Sequence, residues 1–449
     1  MSSRKGCSME TLRDYLDFMK GRGLVLEIGE KVSREDIPEL VELLAERGKV
    51  IHFKNIDGYE CGMAANLAPS IDALSAIVGD YGRFLEAGNK AEKKVAVEPA
   101  GLTSIDMAGR DILSVLPILK HCEKDSAPFI TTGIVSSPDP DSGVVGRGIH
   151  RLEYRGGNRL GVTLINPPLS DILQKCKTRG ERMRLVVTIG VDPVLFLSMA
   201  MKAAPGTDKL EVAGGLKGEG IKVIRPAYPD IDVPAGAEFY LEGDVDYADV
   251  RRDGPLGEIG GYYMALEATP TMVVSRIFHR QAPLYHALLP TGLEGDAYLT
   301  FVSRGHVEGT VRKLFPFVAE IVFVAKTFGT SVVVSIKPAE RPQVRSLITA
   351  MMGFPMIKKV VVVDADVDAH SLVDVEWAIM TRCFADTDVI VAAGLQGQPI
   401  DPQSAGGAGV GKMGIDATMH GKHIEERARV ARGNRVRVLS VLRSIGGAA

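Results

Sequence analysis

Short runs of strand-forming residues recur through the middle of the chain, from about residue 129 to about residue 305. Glycine and proline separate these runs and mark turns between them. Strands at such close spacing are typical of a β-barrel or a β-sandwich, because parallel βαβ units need a helix between successive strands. The runs lie at residues 159–165, 184–189, 222–224, 238–241 and 271–278.

The N-terminal third has a different pattern, in which helices and strands are mixed. Apolar residues recur at helical spacing in residues 9–21, 37–47 and 71–78, and residues 50–53 predict a short buried strand. We find no catalytic constellation there. The pattern predicts an α/β segment over residues 1–128.

Strands alternate with helices again beyond residue 311, which predicts an α/β domain with a parallel or mixed sheet over residues 311–449. Residues 311–328 are predicted to form a helix that runs into a strand at 321–324. The other predicted strands are 331–336, 358–364 and 388–391, and the other predicted helices are 344–352 and 373–383.

The composition excludes several classes of protein. A length of 449 residues predicts two to three domains, and a net charge of -3 argues against nucleic acid as an electrostatic partner. The five cysteines are odd in number and none has metal-ligand spacing, which indicates reduced thiols. Neither a signal-peptide core nor a run of 18 apolar residues is present, so we expect a cytoplasmic protein with no membrane span.

Two acids stand out within the central region. Asp253 and Glu258 are five residues apart in a stretch that also contains Gly254, Pro255 and Gly257. Glycine and proline break both helices and strands, so this stretch predicts a shaped turn that presents two carboxylates. Such turns occur at catalytic centres, but a surface acidic turn accounts equally well for these residues alone.

The stretch at residues 253–263 resembles the acid motif of the UbiD-type decarboxylases, which use prenylated flavin. That family pairs the motif with an upstream arginine, and Arg151 stands in a matching context at residues 148–151. Further stretches match the family in order, and these are 139–143, 189–193, 212–218, 285–294, a Val-Val-Asp-x-Asp-Val-Asp run ending at Asp368 before Trp377, and 411–418.

The resemblance implies a mixed α/β multidomain fold in which residues 129–310 form a split β-barrel that holds the flavin. It also implies a non-oxidative decarboxylation of an α,β-unsaturated or (hetero)aromatic carboxylic acid, and it leaves open whether the reaction runs in both directions. A cofactor is expected on chemical grounds as well, because loss of CO2 leaves two electrons on carbon and protein side chains are poor electron sinks.

The resemblance also assigns roles to three residues. Glu258 is the proton donor, Arg151 lies near the substrate carboxylate and the flavin, and Asp253 fixes Arg151. These residue types suit the chemistry, since a guanidinium pairs a carboxylate bidentately and a positioned acid protonates the carbon that loses CO2. The alternative is an ordinary salt bridge between domain elements. The family's flavin contacts correspond to Ile149, His150, Arg151, Thr163, Leu164 and Ile165.

The chain departs from the family at the metal ligands. Relatives hold Mn or Mg, and through it the flavin phosphate, with an asparagine, a histidine and a glutamate. The corresponding positions carry Gly146, a stretch without histidine at residues 166–169, and Lys209. Either Arg147 and Lys209 neutralise the phosphate directly, or normal cofactor binding has been lost. We favour the first hypothesis and predict no metal ligand.

The substrate side departs from the family too. Asp296 stands where relatives often carry a histidine that faces the substrate, and Arg304 could pair with a second acidic group of the substrate, although a solvated surface arginine is equally compatible. Two other functions stay open, a subunit of a carboxylase complex and a degenerate paralogue that binds a partner. We expect a flavin prenyltransferase to supply the cofactor and the chain to form a homo-oligomer.

Overall fold

The structure is a computed structural model of the 449-residue chain. It describes residues 9–79, 91–201, 203–204, 206–226, 228–398, 401–404, 407, 409–419, 422, 427–428, 430–431 and 435–444.

The helices and strands are numbered in chain order. The helices are α1 (Leu12–Lys20), α2 (Ile37–Ala45), α3 (Ile71–Val78), α4 (Leu169–Arg179), α5 (Pro193–Ala200), α6 (Lys209–Lys217), α7 (Leu293–Leu314), α8 (Arg341–Met352), α9 (Leu372–Arg382), α10 (Ala385–Asp388) and α11 (Arg435–Ser444). The strands are β1 (Val25–Val32), β2 (Val50–Ile56), β3 (Gly62–Ala65), β4 (Val95–Ala96), β5 (Leu102–Asp106), β6 (Phe129–Ile130), β7 (Ile134–Pro138), β8 (Val145–Ile149), β9 (Leu152–Tyr154), β10 (Arg159–Val162), β11 (Arg184–Ile189), β12 (Lys222–Ile224), β13 (Val233–Pro234), β14 (Phe239–Gly257), β15 (Tyr263–Arg280), β16 (Leu284–Ala287), β17 (Val318–Phe323), β18 (Ser331–Ile336), β19 (Lys359–Asp364), β20 (Val389–Leu395) and β21 (Val410–Ala417).

The N-terminal sheet has the strand order β1-β2-β3-β16. Its last strand, β16, comes from within the central region of the sequence, so this sheet is tied to the rest of the fold. The predicted helices at 37–47 and 71–78 are confirmed as α2 and α3. Apolar residues of the two regions share one buried cluster, in which Phe53 of β2 and Ile37 of α2 lie with Leu160 and Val187 of the central strands.

The predicted β-rich character of the central region is confirmed. Nine strands pair in the order β6-β9-β10-β15-β14-β11-β7-β8, with β5 added beside β15. The pair β14–β15 is a long antiparallel ribbon whose register shifts at several bulges. A smaller sheet, β13-β12-β4, lies apart from it. Because β5 precedes residue 129, the nine-stranded sheet begins earlier in the chain than the predicted central region, and the predicted domain limits stay predictions.

The C-terminal sheet is mixed, as predicted, with the order β17-β18-β19-β21-β20. Its inner strands β18, β19 and β21 are parallel and its two edge pairs are antiparallel. Successive side chains of a strand point to opposite faces. Accordingly Val332, Val334, Val360 and Val362 pack in one cluster with residues of α8, and Val333, Val361 and Val363 pack in another with residues of α9.

The predicted helix at 311–328 is wrong in its limits. Helix α7 begins at Leu293 and ends at Leu314, and β17 starts at Val318 after a short connection. The apolar residues beyond 314 alternate as a strand does, since Val318, Ile321 and Phe323 are buried while Ala319 and Glu320 are exposed. A helix of 22 residues spans about 33 Å, so α7 links the central and C-terminal regions.

Within the described residues, no helix is long and apolar enough to cross a membrane. Cys61, Cys122, Cys176 and Cys383 are free thiols, as predicted, and Cys7 lies outside the described residues.

Candidate active site

Three predicted residues from distant parts of the sequence meet at one place. Nε of Arg151 donates to Oδ1 of Asp253 over 2.8 Å, and Nη1 of Arg151 donates to Oε1 of Glu258 over 2.5 Å. Asp253 also accepts from the hydroxyl of Thr163 over 3.3 Å. One guanidinium therefore holds both carboxylates of the acid motif in fixed positions.

One nitrogen of the Arg151 guanidinium, Nη2, makes no hydrogen bond within the described residues. Nη2 of Arg151 lies 2.5 Å from Oδ1 of Asp253, but at an angle that makes no hydrogen bond, so this buried nitrogen has no hydrogen-bond acceptor in the described part of the chain. The Glu258 side chain is 29% exposed, whereas Asp253 is fully buried. Glu258 can thus exchange a proton with solvent or a ligand, and Asp253 is confined to holding the arginine.

The local backbone explains why the motif needs its glycines. Gly254 has φ 86°, a conformation that side chains rarely adopt, and a Cβ there would lie 2.7 Å from the carbonyl oxygen of Met264. A Cβ on Gly257 would lie 2.5 Å from the sulfur of Cys122. Close neighbours on both sides therefore fix the path of the chain between Asp253 and Glu258.

Burial has the largest effect on the pKa of Asp253. It raises the pKa of the Asp253 carboxyl above its ordinary value, while the ion pair with Arg151 opposes the shift and the nearby charge of Glu153 adds to it. The arginine is thus the group that favours the ionised form of this buried acid.

Two further acids support the motif, and no sequence pattern predicted them. Asp125 accepts from the backbone N–H of Gly257 over 2.9 Å, and Glu153 accepts from that of Gly254 over 3.1 Å. Both are buried. Neither belongs to a recognisable spacing, since each is a single acid that acts on a segment about 100 or more residues away.

His150 precedes Arg151 in the chain, and its ring contacts a second segment of the site. Its Nδ1 lies 2.6 Å from the carbonyl oxygen of Thr163, and because a carbonyl only accepts, this nitrogen carries the proton. Burial lowers the pKa of the His150 ring to about 4. A neutral His150 therefore links the two segments, 149–151 and 163–165, that were predicted to contact flavin.

Arg147 lies in a buried cluster of charges. Its guanidinium donates to Asp208 over 2.8 Å through Nε, to the Ser136 hydroxyl over 3.0 Å through Nη1, and to Asp232 through Nη2. Lys94 lies 2.8 Å from Asp208 and 2.6 Å from Asp232. Burial opposes ionisation of Asp208, but these cations outweigh it and lower its pKa to about 2. Arg147 is thus already paired, and its predicted contact with phosphate stays a prediction.

Lys209 lies in a different setting although it follows Asp208 directly. Its ammonium donates to the carbonyl oxygen of Met199 over 2.7 Å, and no carboxylate of the described residues pairs with it. Burial lowers the pKa of the Lys209 ammonium to about 8. Its positive charge also contributes to the low pKa of His150, which places it on the His150 side of the fold.

The position of the family's asparagine is closely packed. A Cβ on Gly146 would lie 2.6 Å from Cδ1 of Ile172 and 3.0 Å from Cγ of Pro168, so a larger residue there would require these side chains to shift. No cluster of three His, Cys, Asp or Glu residues suited to a metal occurs in the described part of the chain. The residues present therefore do not fit the family's divalent ion.

The two predicted substrate residues have partners of their own. Asp296 accepts from the backbone N–H groups of Lys326 and Phe328 over 3.0 and 2.6 Å, and both of these residues have positive φ. Arg304 donates to Glu308 over 2.8 Å one turn along α7. Asp296 thus holds a strained turn of the C-terminal region, and a substrate contact for either residue stays a prediction.

Known proteins identify the class to which this fold and site belong. Residues 94–293 match the family model described as the 3-octaprenyl-4-hydroxybenzoate carboxy-lyase Rift-related domain, and residues 300–417 match that of the corresponding C-terminal domain. The chain is a carboxy-lyase. More particularly, it belongs to the UbiD family, as its motifs predicted.

The relatives span nearly the whole chain. The anhydromevalonate phosphate decarboxylase of Methanothermobacter thermautotrophicus is 32% identical and covers 94% of this chain and 100% of its own length. The phenolic acid decarboxylase of Bacillus subtilis is 26% identical over 91% of this chain and 92% of its own.

Solved structures agree. The UbiD-class enzyme HmfF of Pelotomaculum thermopropionicum, in complex with FMN, is 28% identical, with a TM-score of 0.85 over 95% of this chain and 98% of that one. An evolved dimeric form of HmfF with prenylated FMN is 26% identical, with a TM-score of 0.80 over 94% of this chain and 97% of that one. These neighbours support a flavin cofactor and confirm the mixed α/β multidomain fold.

Proposed function

We propose that this chain uses prenylated FMN to remove CO2 from an α,β-unsaturated or (hetero)aromatic carboxylic acid, with Arg151 beside the carboxylate and Glu258 as proton donor. One observation carries the proposal. Arg151 binds Asp253 and Glu258 together and retains a buried donor, Nη2, that lacks a hydrogen-bond acceptor within the described residues. A carboxylate or a flavin oxygen would satisfy that donor.

The residues around Arg151 fit a flavin. Ile165 follows the segment that His150 holds, and its apolar side chain is 58% exposed, so a ring system stacked there would cover it. The partly buried ammonium of Lys209 lacks a carboxylate partner among the described residues, which suits the phosphate of the cofactor. When bound, prenylated FMN supplies the electron sink that decarboxylation requires.

The chain's own residues would then act in sequence. Nη2 of Arg151 orients the substrate carboxylate, and the Asp253 carboxylate keeps the guanidinium plane fixed through Nε. After CO2 leaves, Glu258 delivers a proton to the carbon that carried the carboxylate. Its partial exposure lets solvent restore that proton for the next turnover.

The printed names of the relatives suggest which acids to test. They include a decarboxylase of anhydromevalonate phosphate and one of phenolic acids. The greater identity and full coverage of the first favour a phosphorylated acid as the leading candidate for this chain. Arg304 is then the candidate partner of a second anionic group, provided that its pair with Glu308 opens.

Other parts of the proposal concern partners and location. We propose a homo-oligomer in the cytoplasm, loaded with cofactor by a flavin prenyltransferase. A carboxylase-complex subunit and a degenerate partner-binding paralogue remain the alternatives. The intact contacts of Arg151 with both acids favour an active enzyme over the degenerate paralogue.

The test is co-expression with a flavin prenyltransferase, followed by the absorbance spectrum and mass of the bound cofactor and by CO2 release from a panel of acids. The panel should contain anhydromevalonate phosphate, its dephosphorylated form and phenolic acids. We expect prenylated FMN in the protein and release of CO2 from at least one class. A chain that holds the cofactor and releases CO2 from none of them, alone or with candidate partner subunits, would overturn the proposal.

A further inference from the structure

We propose that Asp125 and Glu153 are positioning residues that set Glu258 and Asp253 against Arg151 by holding the backbone between the two acids. We call residues 253–258 the acid loop and residues 121–126 the clamp segment. The inference deepens the proposed function and rests on it for its catalytic consequence.

Asp125 holds the end of the acid loop that carries Glu258. Its Oδ1 accepts from the N–H of Gly257 over 2.9 Å, and its Oδ2 accepts from the N–H groups of His121 and Cys122 over 2.9 and 2.8 Å. Asp125 is buried. Both oxygens of one carboxylate are therefore used, one on the acid loop and the other on the clamp segment.

Glu153 holds the opposite end, next to Asp253. Its Oε1 accepts from the N–H of Gly254 over 3.1 Å and from the Ser126 hydroxyl over 2.5 Å. The N–H of Ser126 in turn donates to the carbonyl oxygen of Pro255 over 2.8 Å. Glu153 lies on β9, which begins directly after Arg151.

Each of the two contacts fixes the backbone next to one acid of the motif, on the side that faces the other acid. The N–H groups they fix belong to the residue after Asp253 and the residue before Glu258. Both residues are glycines, which have no side chain that packing could hold, and Gly257 lies directly against Cys122. The two carboxylates thus add to the close packing of the glycines and to the pairing of β14 with β15 in positioning the backbone of the acid loop. Displacement of a catalytic group by about 1 Å costs on the order of 100-fold in rate.

Asp125 and Glu153 use their carboxylate oxygens differently, and this difference can be tested. In Asp125→Asn, the amide has one oxygen and one NH2 group, so it cannot accept from amides on both sides, and either Gly257 or the clamp segment faces a donor. In Glu153→Gln, the amide oxygen can take the place of Oε1, which accepts from Gly254 and Ser126. The NH2 group then replaces Oε2, whose contact is with Nε of Arg155 over 3.4 Å. Both variants remove one buried negative charge.

We expect Asp125→Asn to lower kcat roughly 10- to 100-fold with KM within about twofold of wild type, and Glu153→Gln to stay within about threefold in kcat. Glu153→Leu, which removes the acceptor, should lose activity as Asp125→Asn does. The control is Asp416→Asn, which alters a buried acid whose Oδ1 accepts from Thr418 in the C-terminal sheet. It should turn over as wild type does.

A second readout needs no turnover. Hydrogen exchange of the peptide spanning residues 253–258 in the flavin-free protein should be about 10-fold faster in Asp125→Asn than in wild type, and unchanged in Glu153→Gln and Asp416→Asn. The positioning role would be overturned by equal losses of kcat in Asp125→Asn and Glu153→Gln. Wild-type kcat and wild-type hydrogen exchange in Asp125→Asn would overturn it too. If wild type turns over no acid while exchange responds as expected, the clamp stands and the proposed function fails.

Discussion

The ammonium nitrogen of Lys209 lies 2.7 Å from the carbonyl oxygen of Met199, which is a neutral partner for a partly buried charge. Its lowered pKa, about 8, follows from burial. Because the pKa is lowered, the folded chain pays for the charged form below pH 8, and that cost is relieved as the pH rises from 8 towards 10.5. A bound phosphate would offset the same cost.

The first prediction concerns Lys209→Met. We expect the affinity for FMN at pH 7 to fall roughly 10- to 100-fold, the equivalent of one charge-assisted hydrogen bond, and the wild-type affinity to weaken above pH 8. Flavin fluorescence titration at several pH values measures both. Lys177→Met, which changes an exposed lysine of α4, is the control. Equal affinities of wild type and Lys209→Met would remove Lys209 from the phosphate site.

The second prediction concerns metal. Gly146 packs against Ile172 and Pro168, and Lys209 has no lone pair while it is charged, so neither can bind a cation. We expect the holoenzyme to keep its flavin and its activity after exhaustive chelation. Elemental analysis before and after chelation provides the measurement. Stoichiometric manganese or magnesium whose removal abolishes activity would show that phosphate is not held by basic side chains alone.

The third prediction concerns the proton donor. Glu258→Gln should reduce turnover by about 10²- to 10⁴-fold, since the amide keeps the shape but has no acidic proton to give. Flavin content and melting temperature should stay close to wild type. Glu267→Gln is the matched control, because Glu267 lies on the same ribbon and its side chain is 90% exposed. Full activity of purified Glu258→Gln would exclude Glu258 from the mechanism.

The fourth prediction concerns stability in acid. Burial lowers the pKa of the His150 ring from 6.5 to about 4. Between these pH values the ring is therefore protonated in the unfolded chain and neutral in the folded chain. The stabilisation is complete above pH 6.5 and is lost as the pH falls to 4, by up to about 3 kcal/mol. Urea unfolding of the flavin-free protein should show a flatter profile for His150→Gln.

The control for that series is His370→Gln, because the His370 ring is exposed and its pKa is raised by Glu320. Removing that ring should not flatten the profile between pH 6.5 and 4. Parallel acid profiles for wild type and His150→Gln would contradict the assignment of a neutral His150 in the folded chain.

The meeting of Arg151 with Asp253 and Glu258 could be predicted from the family's motifs. The predicted turn is wrong in its limits, because β14 continues through Asp253 to Gly257 and Glu258 follows it directly. Family resemblance supplied Arg151, which is 102 and 107 residues away from the two acids. Asp125 and Glu153 could not be predicted. They act through the backbone N–H groups of glycines, and no pattern of residue types records which isolated acid will reach a distant amide.

The limits of α7 show a second reason for failure. No side chain caps its N-terminus, where Gly292 precedes the first turn, so the usual start signal is missing from the sequence. Asp296 illustrates a third. Its position suggested a contact with substrate, but its carboxylate serves the turn at Lys326 and Phe328, a pairing that depends on how the two regions pack.

The ribbon of β14 and β15 has a consequence for how such chains can diverge. Asp253 lies near the end of a 19-residue strand, and each residue advances the chain by about 3.3 Å and turns the next side chain to the opposite face. Deleting one residue between Gly243 and Asp253 would point that carboxylate away from Arg151 unless a bulge absorbed the change. We therefore expect substitutions along the ribbon to be tolerated more readily than changes in its residue count.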